Sequence, residues 1–118
     1  MTEDLSFDTG LNLCQNQHRR ITLAVLAEAQ GPLTVNDLSK PIVKYNHHIP
    51  VTEVSEELRT QIQSSLHHVH LPKLESAGVI HYDPEQQLVE SADDFAHKVP
   101  YLSAILDADP ELERPVVL

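Results

Sequence analysis

Between Thr9 and Glu90, apolar residues recur at helical spacing in short stretches, and proline or glycine cuts nearly every one of them. A chain punctuated in this way has to fold as several short helices around one core rather than as long helices or an extended sheet. The first stripe, Leu11, Cys14, Ile21, Ala24, Val25 and Leu26, ends at Gly31-Pro32 and predicts one helix from Thr9 to Gln30, broken near Asn16. Thr34 is a good N-cap with Asp37 three residues on, so a second helix is expected from Val35, burying Val35, Leu38 and Ile42. Pro41 should kink that helix or restart it. After an Asn46–Pro50 linker, Thr52 or Ser55 followed by acidic residues opens the third and longest helix, with the stripe Leu58, Ile62, Leu66 and Val69. Near its end Leu71 and Leu74 shift the apolar face. Pro72 leaves the carbonyl of His68 without its usual donor, which predicts a kink or a short second segment. Gly78 is expected to close the helix as its C′ residue.

The period then changes. Val79–Tyr82 and Gln87–Glu90 are β-prone runs around Asp83-Pro84-Glu85-Gln86, the pattern of a hairpin. Phe95, Val99, Leu102, Ile105 and Leu106 return to spacings of three and four, a last amphipathic helix that needs a partner, with Pro100 marking a kink or a fresh start. The expected organisation is an N-terminal arm at 1–8, one domain at 9–91, a C-terminal helix at 92–108 and a tail at 109–118. A chain of 118 residues is large enough for a single modest core. With aromatics at 4% and no tryptophan, that core is made of Leu, Ile, Val and Ala. Helix, helix, helix, hairpin, helix is the order of a winged helix-turn-helix, mainly α with a small β-hairpin (α+β).

The segment Leu66-His67-His68-Val69-His70-Leu71-Pro72-Lys73-Leu74-Glu75-Ser76-Ala77-Gly78-Val79-Ile80 sharpens this reading. Its His70-Leu71, Leu74, Ala77-Gly78 and Val79-Ile80 resemble the end of the recognition helix and the first wing strand of ArsR-like repressors. The fuller pattern, with Tyr82-Asp83 and the Arg19-Arg20 pair in the first long helix, resembles a haloarchaeal family of winged helix-turn-helix domains of unassigned biochemical function, over roughly residues 10 to 91. The resemblance implies a DNA-binding transcriptional regulator, often dimeric, with double-stranded DNA as its partner. Two features depart from that pattern: the wing tip Asp83-Pro84-Glu85 is acidic, and the third helix begins with Glu56-Glu57.

Charge pulls against nucleic acid, since 18 acidic residues face 8 basic ones for a net charge of −10. A salt-loving, archaeal source would remove the objection, because at about 1 M salt the Debye length shrinks to roughly 3 Å and local contacts decide. If the third helix enters a major groove, Arg59, Thr60, Gln63, Ser64, His67 and His68 lie off its apolar stripe and can hydrogen-bond bases or phosphates. Lys44, Arg20 and Lys73 are candidate phosphate grips. Phe95, Val99, Leu102, Ile105 and Leu106 form a candidate dimer seam. Eight histidines invite a metal reading through His67, His70 and His81, but no acidic or cysteine ligand joins them at a recognisable spacing, and neither a metal nor a cofactor is expected. Three glycines and one cysteine leave no phosphate loop, no disulfide and no nucleophile motif, so the chain is not read as an enzyme. The absence of a signal-like N-terminus and of a run of about 20 apolar residues predicts a cytoplasmic protein without a membrane span. The alternative function is a winged-helix module for protein contacts or dimerisation that does not bind DNA specifically.

Overall fold

In a computed structural model, residues 7–29, 31–46, 49–92 and 102–109 are described. The elements run α1 (Phe7–Leu13), α2 (Gln17–Glu28), β1 (Leu33–Thr34), α3 (Val35–Asn46), a 3-10 turn (Val51–Glu53), α4 (Glu56–Ser65), a π turn (Leu66–His70), α5 (Leu71–Ser76), β2 (Ile80–Asp83), β3 (Leu88–Ser91) and α6 (Leu102–Ala108). Helices packed with a small antiparallel sheet make an α+β architecture of winged-helix type.

The break expected near Asn16 is there, and its side chain supplies the reason: Asn16 caps α2 by accepting from the amide of His18 at 2.8 Å. Ile21, Thr22, Leu23, Ala24, Val25 and Leu26 are all buried. A run buried on every side belongs in the middle of a fold, and α2 packs against α3 and β3. Its one buried hydroxyl, on Thr22, donates to the His18 carbonyl at 2.8 Å. At the start of α3 a reciprocal capping box closes, with Thr34 Oγ1 accepting from the Asp37 amide at 2.9 Å and Asp37 Oδ2 accepting from the Thr34 amide at 3.1 Å. Val35, Leu38 and Ile42 are fully buried as expected. The helix runs through Pro41 without a break, so Pro41 neither ends nor restarts it, and its buried ring adds to the packing that offsets the lost hydrogen bond.

Ser55 caps α4, accepting from the Leu58 amide at 3.1 Å. The irregularity foreseen at Pro72 takes the form of a π turn, in which the Leu71 amide donates to the Leu66 carbonyl five residues back. Proline lacks the amide that would restore α-register, and one wide turn accommodates the gap. The extra residue rotates the helix, and this overturns one position of the apolar stripe: Val69 is 52% exposed while His70 is 4% exposed. Leu11 of the first stripe also lies outward. Gly78, with φ of 80°, closes α5; its amide bonds the Glu75 carbonyl and the Val79 amide bonds the Leu74 carbonyl, a Schellman end.

The sheet order is β1-β3-β2, all antiparallel. Strand β1 was not anticipated: two residues carry no period, and Leu33 and Thr34 become a strand only through pairing with Val89 and Leu88. Val89 is fully buried beneath the sheet, while the turn joining β2 to β3 is fastened by Asp83 Oδ1, which accepts from the amides of Glu85 and Gln86. Among the described residues no helix is long and apolar enough to cross a membrane.

Candidate nucleic-acid interface

Helix α4 packs on α3, and two side-chain ties fix it in place. Gln63 donates through Nε2 to Asn36 Oδ1 at 3.1 Å, joining α4 to the first turn of α3. His67 Nδ1 meets the Tyr82 hydroxyl, joining the π turn to the wing. Burial, with Glu75 and Asp83 adding, pushes the Tyr82 phenol up, so it stays protonated. Thr60, Ser64 and His68, each four residues from the next, are exposed along one line of the helix, and Gln61 is exposed beside them. Beyond the first turn that face offers hydroxyl, amide and imidazole groups; Glu56 and Glu57, exposed four residues before Thr60 and Gln61, put two carboxylates at its N-terminal end. Arg59 and Gln63 are half-buried on the flank. Gln61, off the stripe of Leu58 and Ile62, is a further exposed residue of this face beyond the candidates of the sequence, and the brace from Asn36 comes from tertiary contact alone.

The three candidate phosphate grips differ in availability. Lys73 is exposed on α5, and Lys44 is exposed on α3 with its ammonium 5.1 Å from the centre of the Tyr45 ring. Arg20 is engaged within the fold, its Nε on Asp109 at 2.9 Å and its Nη1 on the carbonyls of Cys14 at 2.7 Å and Gln15 at 3.3 Å. Its neighbour Arg19, 6% exposed, bonds the carbonyls of Leu13 at 2.8 Å and Asn12 at 3.1 Å. The twin arginines therefore cap four successive carbonyls where α1 ends, a place where unpaired carbonyls attract cations.

Arg19 also donates through Nη1 to His70 Nδ1 at 3.2 Å. Burial first, then His18 and Arg19, lower the His70 pKa from 6.5 to about 4. His70 is thus neutral with its proton on Nε2, leaving Nδ1 to accept, and it ties the π turn to the end of α1. The three histidines considered for a metal are separated by these roles: His67 faces Tyr82, His70 faces Arg19 and His18, and His81 is exposed on β2. Among the described residues no group of three or more His, Cys, Asp or Glu side chains is placed to hold a metal ion.

The candidate dimer seam is also revised. Leu106 is fully buried in the core of its own chain, because α6 turns this residue inward, and it is not available to a second copy. Ile105 is half-buried against the same core. Leu102 opens α6, and Phe95 and Val99 lie outside the described residues.

A family model described as a domain of unknown function (DUF7344) matches residues 11–90, the span from α1 to the end of the wing. No curated protein and no solved structure matches the chain.

Proposed function

The chain belongs to the DUF7344 family, and from the geometry of its own residues we propose that it is a DNA-binding transcriptional regulator that reads a major groove with α4. The observation that carries this reading is the outer face of α4 and of the π turn that continues it, where Thr60, Gln61, Ser64 and His68 present donors and acceptors on a segment braced through Gln63 and His67. Base edges are distinguished by patterns of donors and acceptors, and a positioned helix is what a major groove admits. With 10 residues, α4 spans roughly 15 Å, enough to cross a groove about 12 Å wide. Lys44, Lys73 and Arg59 supply cations for phosphates. The acids of the wing turn, Asp83 and Glu85, oppose phosphate, so the wing stands off the backbone and α4 does the reading. DNA binding of this kind takes place in the cytoplasm of a cell without a nucleus, and a two-fold pair would set two copies of α4 in successive grooves.

The test is backbone amide mapping by NMR during titration with duplex DNA. Perturbations concentrated at Thr60, Gln61, Ser64 and His68 support the reading. A duplex that leaves α4 unperturbed contradicts it and favours the alternative, a winged helix used for protein contacts.

A further inference from the structure

The outer face of the wing sheet carries a cavity that DNA reading by α4 leaves unused. Strand pairing sets His81 opposite Glu90, and Asp83 and Thr34 on either side of Leu88. These side chains share the face turned away from the core, since partners in register point the same way. A shallow cavity of about 390 Å³ opens there, lined by the apolar Pro32 and Leu88, by the carboxylates of Glu75, Asp83 and Glu90, and by His81. Its size lies toward the lower end of the roughly 300–1,000 Å³ typical of ligand sites. From Leu74 to Ala92 the sequence holds no lysine or arginine. Among the described residues, no salt bridge reaches any of the three carboxylates.

We propose that this face docks a segment of a partner protein that presents arginine or lysine. The argument is one of complementarity. A long cationic side chain has an apolar stem and a charged head. Pro32 and Leu88 match the first, and Glu75, Asp83 and Glu90 match the second. A nucleic acid or an acidic peptide is repelled by the same charges. The partner is gripped by its side chains and not by strand addition, because Glu75 Oε2 already takes the Tyr82 amide on edge strand β2 at 3.1 Å. The wing thereby becomes a protein-contact surface on a domain whose other face reads DNA.

The experiment titrates the isotope-labelled full chain with a capped hexapeptide alternating arginine and alanine, in about 0.15 M KCl, where the Debye length is about 8 Å. Two charge-reversal variants accompany it: Glu90→Lys, inside the cavity, and Glu53→Lys, exposed on the 3-10 turn. Amide shifts should cluster at His81, Asp83, Leu88 and Glu90. Affinity should fall about tenfold or more in Glu90→Lys and by less than about twofold in Glu53→Lys. Equal losses in the two variants, shifts spread over the whole acidic surface, or no binding at this salt would overturn the proposal. Each variant is also titrated with duplex DNA, so failure of the wing site is read separately from failure of α4.

Discussion

Acidification should destabilise this fold through one side chain, His70, and the size of the effect follows from where that side chain sits. The ring is 4% exposed, with Nδ1 accepting from Arg19 and with His18 edge-on at 5.4 Å between ring centres. A proton added to Nδ1 would remove the acceptor and set a second cation against the guanidinium. Burial is the largest cause of the depressed pKa, about 4 against 6.5 when unfolded. Between those values the unfolded chain binds the proton and the folded chain does not. Stability is therefore fully present above pH 6.5 and is lost as pH falls toward 4. Linkage gives a loss of about 2 kcal/mol by roughly pH 5, and on the order of 3 kcal/mol once the folded state also protonates. The assay is urea unfolding at neutral pH and at about pH 5, for the wild type and for His70→Gln, whose amide oxygen can still accept from Arg19 but does not titrate. The wild type should lose about 2 kcal/mol more than the variant across that interval. Equal losses in both proteins, or a His70 pKa near 6.5 by NMR, would refute the reasoning.

Three further outcomes follow from the packing and the site. Leu106→Ala should cost about 2–5 kcal/mol in thermal or urea unfolding, and the loss should not depend on protein concentration, because the side chain fills its own core. Thr34→Ala removes the acceptor for the Asp37 amide and should cost about 1 kcal/mol. Arg59→Ala should weaken specific DNA binding by about 1–3 kcal/mol, read by fluorescence anisotropy, with the melting temperature unchanged.

The helices were legible in the sequence where a local rule decides them. Thr34 with Asp37, Ser55 and Gly78 each act within a few residues of chain and form the caps expected there, while the break expected near Asn16 is made by a cap from Asn16 itself. Strand β1 was invisible because its two residues acquire strand geometry from β3, far along the chain. Pro72 announced an irregularity but not its kind. An ordinary kink would have kept Val69 inside, whereas a π turn moves the phase by one residue and buries His70 instead. The twin arginines misled for a related reason. On a linear sequence Arg20 is a surface cation, and only the folded chain brings the carbonyl end of α1 against it. Along α4 the exposed line of Thr60 and Ser64 follows from helical spacing alone. The ties to Asn36 and Tyr82 depended on tertiary contact.

The central claim, that α4 reads DNA sequence, is tested most directly by selecting bound duplexes from a random pool with the purified chain, in parallel at high and low potassium chloride. Base readout predicts one enriched motif retained at both salts, palindromic if two copies bind together. A pool that stays unenriched at both salts, or that is held at low salt without any sequence preference, would contradict it.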